Sequence, residues 1–79
     1  MDALPIEEAT GAPYASCHPG VMHACGHDAH MTMACGVAAL AHVRRDAMHG
    51  TLRILFQPCE EKTPSGAPRM IAAGAVDGV

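Results

Sequence analysis

Between Asp28 and about Arg45 the apolar positions recur with a helical period. Met33, Val37, Leu40 and Ala41 fall at i, i+4, i+7 and i+8, which predicts one amphipathic helix with a single apolar stripe. Asp28 suits the N-cap and the positive end of the helix dipole, and Arg44 and Arg45 suit the last turn. Ala34, Gly36, Ala38 and Ala39 are small and let such a helix lie close against a sheet. Gly50 closes the connection that follows. Thr51 to Gln57 then changes period. Leu52, Ile54 and Phe56 face one way and Leu55 the other, the pattern of a strand covered by helices on both faces. Pro58 ends that strand, because it has no N–H for a ladder.

After Pro58, Cys59-Glu60-Glu61 is expected at the strand's C-terminal end, where open α/β sheets place their ligand sites. A Pro/Gly loop over Thr63 to Gly66 leads to a short helix around Ala67 to Ala73, with Pro68 in its first turn and Gly74 at C′. Residues 3–26 hold no sustained period and carry two turn signals, Thr10-Gly11-Ala12-Pro13 and His18-Pro19-Gly20. A structureless stretch of that length within a compact domain is usually functional. The expected class is α/β, a piece of a helix-covered central sheet. No internal repeat or low-complexity tract is present.

Composition narrows this. At 79 residues the chain is at most one small domain, and with two aromatics, Tyr14 and Phe56, its core is expected to be poor. The net charge of −3 includes no basic patch for nucleic acid. The longest nearly uncharged apolar run, Met31 to Val43, is too short to span a bilayer. Met1-Asp2-Ala3 has neither the basic nor the apolar region of a signal peptide, so the four cysteines are expected to be reduced and the protein cytoplasmic.

The chemistry is concentrated in Met22-His23-Ala24-Cys25-Gly26-His27-Asp28-Ala29-His30, nine residues with three histidines, a cysteine and an aspartate. Cys25 and His27 offer a thiolate and an imidazole, a borderline-soft pair, and Glu61 adds a hard oxygen. Such a mixed donor set suits a catalytic metal with open positions better than a closed structural one. Successive carboxylates on an extended segment point in different directions, so Glu61 can face the metal while Glu60 acts as general base on water there. Each piece also has a plain reading. An isolated Cys-x-His is often a buried, inert thiol beside a histidine. Glu60-Glu61 alone is most often a solvated turn, and Met22, Met31 and Met33 suit packing. His23 and His30 suit outer positions, His42 and His49 solvent, and Cys17 and Cys59 are read as incidental thiols.

Three stretches in order, Asp2 to Glu8, Pro19 to His30 and Gln57 to Glu61, resemble successive signatures of one family. It is the amidohydrolase family that includes hippurate hydrolase, N-acyl-amino-acid amidohydrolase and the plant hydrolases of indole-acetyl-amino-acid conjugates. Gly50 to Arg53 and Met70 to Ala75 match more weakly. The resemblance implies a di-metal, peptidase-like catalytic domain with two divalent ions, manganese first and zinc, cobalt or nickel otherwise. It implies Cys25, His27 and Glu61 as metal ligands, Glu60 as catalytic base, and supporting places for Asp2, Asp28 and His30. The implied reaction is hydrolysis of the amide bond of small N-acyl amino acids, in a parent protein that forms homodimers.

Cys59 departs from the family's small residue at its position, and Pro68 departs within the helix. Family members are several times longer. The resemblance therefore implies that residues 1–79 are an internal part of the catalytic domain, inactive alone, with earlier strands, two further histidine ligands and a second domain lying outside it. Two other readings stand beside this one. One is a small structural zinc module built on Cys17, His18, Cys25 and His27; the other is a non-catalytic, degenerate copy.

Overall fold

The computed structural model describes residues 1–79. Two α-helices form: α1 over His27–Val43 and α2 over Ala67–Ala72, with a single 3₁₀ turn at Arg45–Ala47 between them. The first agrees with the helical period to within two residues at either end. Its start differs in kind. Gly26, not Asp28, is the N-cap, held at φ 75°, and no side chain caps the helix. A left-handed residue is cheap only for glycine, so Gly26 sets the entry angle and Asp28 falls inside the first turn. There its charge still meets the helix dipole. α2 ends in a Schellman arrangement: the Gly74 N–H donates to the Ile71 carbonyl and the Ala75 N–H to that of Met70, with Gly74 at φ 81°.

The strand expected over Thr51 to Gln57 does not pair. No sheet forms, and the only bridge joins Leu4 to Met22, antiparallel. The physical reason is the lack of a partner: a ladder needs a second extended segment alongside, and none of the 79 residues supplies one to 51–57. The peptidase-like layering of sheet and helices is thus not formed by this chain.

Packing shows the same thing. No hydrophobic side chain is buried, and the only two buried residues are His27 and Gly66. The stripe on α1 faces outward, with Met33 59%, Val37 52% and Leu40 65% exposed. No pair of the three elements packs face to face. The radius of gyration is 15.8 Å, against about 12 Å for a compact domain of this length. The surface is 6148 Å², against about 4500 Å² for a compact protein of this mass. Polar contacts hold the chain instead. Residues 3–26, free of regular structure as their lack of period suggests, are pinned by the Leu4–Met22 bridge and by two adjacent glutamates. Glu7 accepts from the Gly20 N–H at 2.5 Å. Glu8 accepts from the Thr10 hydroxyl at 2.6 Å and the Ser16 N–H at 2.7 Å, bonds that hold its carboxyl below the ordinary glutamate range. No helix is long and apolar enough to cross a membrane.

Candidate metal centre

Three separate segments meet at one corner. The turn at Gly26 carries Cys25 just before α1 and His27 at its first position. The turn after Pro58 brings Glu60 and Glu61. Cys25 Sγ, an imidazole nitrogen of His27 and a carboxylate oxygen of Glu61 lie within 4.8 Å of one another, the only such gathering of three histidine, cysteine or acidic side chains. His27 Nε2 is 3.4 Å from Glu61 Oε1 and 3.6 Å from Glu60 Oε2, both ion pairs when the imidazole is protonated.

Asp2 joins the halves of this corner. Its carboxylate accepts three successive backbone N–H groups, from Cys59 at 2.8 Å, Glu60 at 2.7 Å and Glu61 at 3.4 Å. The Cys59 amide first, then those of Glu60 and Glu61, hold the Asp2 carboxyl below its ordinary range against desolvation. The Asp2 backbone meets the other half: its N–H is 3.0 Å from His27 Nδ1 and its carbonyl 3.3 Å from the same atom. The Asp2 N–H donates to Nδ1, and these two backbone contacts hold the His27 ring with Nε2 turned toward Glu60 and Glu61.

The donor set fits a divalent ion. Two ligand atoms about 2.0–2.3 Å from a tetrahedral metal stand roughly 3.5 Å apart, close to the His27–Glu61 separation. The thiol fits as well. Hydrogen bonding to Glu61 and the charges of Glu61 and Glu60 push the Cys25 thiol above its ordinary range.

The other sequence candidates fall around this corner. The His30 ring lies 6.3 Å from that of His27, tilted by 33°, and outside the triad. Asp28 is exposed in the first turn of α1. His23 is half-buried, and its Nδ1 is buried without a partner. Cys17 and His18 do not join Cys25 and His27; they line a separate cavity of about 360 Å³ with Tyr14, Val21 and His23. The four-ligand zinc module is therefore not assembled. A second cavity, about 310 Å³, opens beside Glu61 and is lined by Asp2, Leu4, Cys59 and Lys62. Two contributors escaped the sequence reading: the backbone of Asp2, and Gly66, whose N–H donates to the Pro58 carbonyl at 3.1 Å and the Cys59 carbonyl at 3.3 Å. Neither has a local signal, since a backbone donor is the same in every non-proline residue.

A thiol, an imidazole and a carboxylate gathered this way form a donor set able to hold a divalent ion, and the family that the chain matches is one of peptidases. Residues 1–79 match peptidase family M20/M25/M40 throughout, and the chain belongs to that family. It is 52% identical over its whole length to an N-acetyl-L-cysteine deacetylase of Bacillus subtilis, covering 19% of that protein. It is likewise 52% identical to an N-acyl-L-amino acid amidohydrolase of Geobacillus stearothermophilus, covering 21%. Over an 86-residue alignment it is 45% identical to an indole-3-acetyl-aspartic acid hydrolase of Enterobacter agglomerans, covering 20%. The chain thus spans about a fifth of the length of these relatives. No solved structure matches it.

Proposed function

We propose that the protein carrying this chain is a metal-dependent amidohydrolase that cleaves the amide bond of small N-acyl amino acids. The observation that carries this is the meeting of Cys25, His27 and Glu61 within 4.8 Å, with Glu60 beside them, in a member of this peptidase family. The substrate class comes from the relatives, whose names share an N-acylated amino acid.

Cys25, His27 and Glu61 hold a divalent ion in this reading; when bound, it polarises a carbonyl and acidifies water. The cofactor set we assign is two such ions, manganese first and zinc, cobalt or nickel otherwise; three donors are too few for both. Glu60 is the general base. Its carboxylate is 55% exposed and borders His27, free to take a proton from attacking water and return it to the leaving nitrogen. Asp2 orients both halves of the site through the bonds above. Asp28 and His30 support His27, one through the charge of the first turn and the other from the next turn of α1. Cys25 works as a thiolate ligand, which suits a reducing, cytoplasmic compartment, and all four cysteines are free.

Glu60→Gln in the full-length protein tests the assignment. Hydrolysis of an N-acetyl amino acid is expected to fall by about 10²–10⁴-fold with metal content unchanged. Hydrolysis at the wild-type rate would remove Glu60 from the role.

A further inference from the structure

We propose that Gly66 is a positioning residue for the metal centre, the latch that holds the Glu60–Glu61 turn against Cys25 and His27; this rests on the metal-site reading above. The first observation is burial. In a chain without a buried hydrophobic side chain, the two buried residues are His27, inside the donor cluster, and Gly66, behind the turn that delivers the carboxylates.

The second is hydrogen bonding. The turn is gripped from both sides. The Asp2 carboxylate takes the N–H groups of Cys59, Glu60 and Glu61, and the Gly66 N–H takes the carbonyls of Pro58 and Cys59. Between the two grips Cys59 adopts φ 53°, a left-handed conformation that L residues other than Asn and Asp rarely hold. Such a conformation persists where the surroundings over-determine it, and here the surroundings are those two grips.

The third is space. The backbone of Gly66 at φ −73° is open to any residue, so its requirement is steric. A Cβ there would lie 2.1 Å from the Pro58 carbonyl oxygen and 3.0 Å from the Pro58 carbonyl carbon and Cγ. Ordinary contact for a Cβ begins near 3.4 Å, so alanine must push the Pro58 carbonyl away by about an ångström. Binding constellations work only when held to within roughly 0.5 Å. The displacement exceeds that tolerance, and the neighbouring residues it moves carry the base and a ligand.

The test is cobalt titration of the metal-free full-length protein, read by the visible cobalt bands and the thiolate-to-cobalt charge-transfer band. Gly66→Ala is expected to bind cobalt about 10–100-fold more weakly, the range for a lost outer support of a metal ligand, with altered visible bands. Gly74→Ala is the control. It disturbs the other end of α2, where φ is 81° and the nearest obstacle is the flexible Asp77 side chain at 2.8 Å, and it should leave cobalt affinity unchanged. Gly66→Ala binding cobalt as wild type does, or both variants losing affinity equally, overturns the latch. If wild type takes up no cobalt, or Cys25→Ser binds as tightly as wild type, the metal reading itself falls and takes the latch with it. Should Gly66→Ala not fold, amide exchange in the wild type decides. The Gly66 N–H is expected to exchange roughly tenfold more slowly with cobalt bound, because latch and ligation are coupled; unchanged exchange overturns the proposal.

Discussion

The two ends of α1 obey different rules. At its N-terminal end, His27 is 8% exposed and tied through Asp2 to residues 57–59 positions away in sequence from that aspartate. Along its length, Met33, Val37 and Leu40 point into solvent with only the shallow surroundings of Ala41, Met48 and Leu52 beside them. Polar bonds assemble the first region within 79 residues, because three short segments suffice to supply the partners. The second region needs an apolar layer, and a hydrophobic stripe gains nothing until a complementary face removes it from water. Within these 79 residues polar bonds gather the donor cluster, while the apolar stripe of α1 stays uncovered.

Substitutions at the two regions should differ most in metal affinity. Asp2→Ala removes the acceptor of three amides and is expected to weaken cobalt binding by about 10–100-fold. Arg45→Ala, on the exposed 3₁₀ turn beyond the far end of α1, should leave the same titration unchanged. Equal losses would erase the distinction between the regions. Gly26→Ala sharpens it within the corner. No atom lies within 4 Å of a Cβ built there, so the cost is the left-handed conformation alone, about 1–2 kcal/mol, measured as a lower melting temperature of the intact protein. A smaller effect should come from pH. Glu8 is held below its ordinary range by Thr10 and Ser16, so its contribution is full above the unfolded glutamate value and is lost as pH falls through the lower folded one. Faster Ser16 amide exchange on acidification, beyond the intrinsic trend, would show it; Glu8→Gln should flatten the change.

Much of the corner was legible in the sequence. Cys25, His27 and Glu61 were named from ligand chemistry and from resemblance, and they are the three the fold brings together. α1 is legible because its apolar stripe recurs over more than two turns, and α2 because proline and glycine punctuate it. The apolar run at 51–57 predicts a strand, but pairing depends on a second strand that no local pattern supplies. Sequence points to Asp28 as the helix cap because a side-chain cap is the commoner solution, whereas Gly26 starts this helix through φ alone. The connections of Asp2 cross 25 and 57 residues and carry no local signal, and the latch at Gly66 depends on where the Pro58 carbonyl lies.

The measurement that bears most directly on the account is X-ray absorption at the cobalt edge of the cobalt-loaded full-length protein. One sulfur scatterer is expected at about 2.3 Å with nitrogen and oxygen scatterers near 2.0–2.2 Å, the sulfur vanishing in Cys25→Ser. A shell of nitrogen and oxygen alone in the wild type would contradict it, because the thiol that meets His27 and Glu61 would then hold no metal.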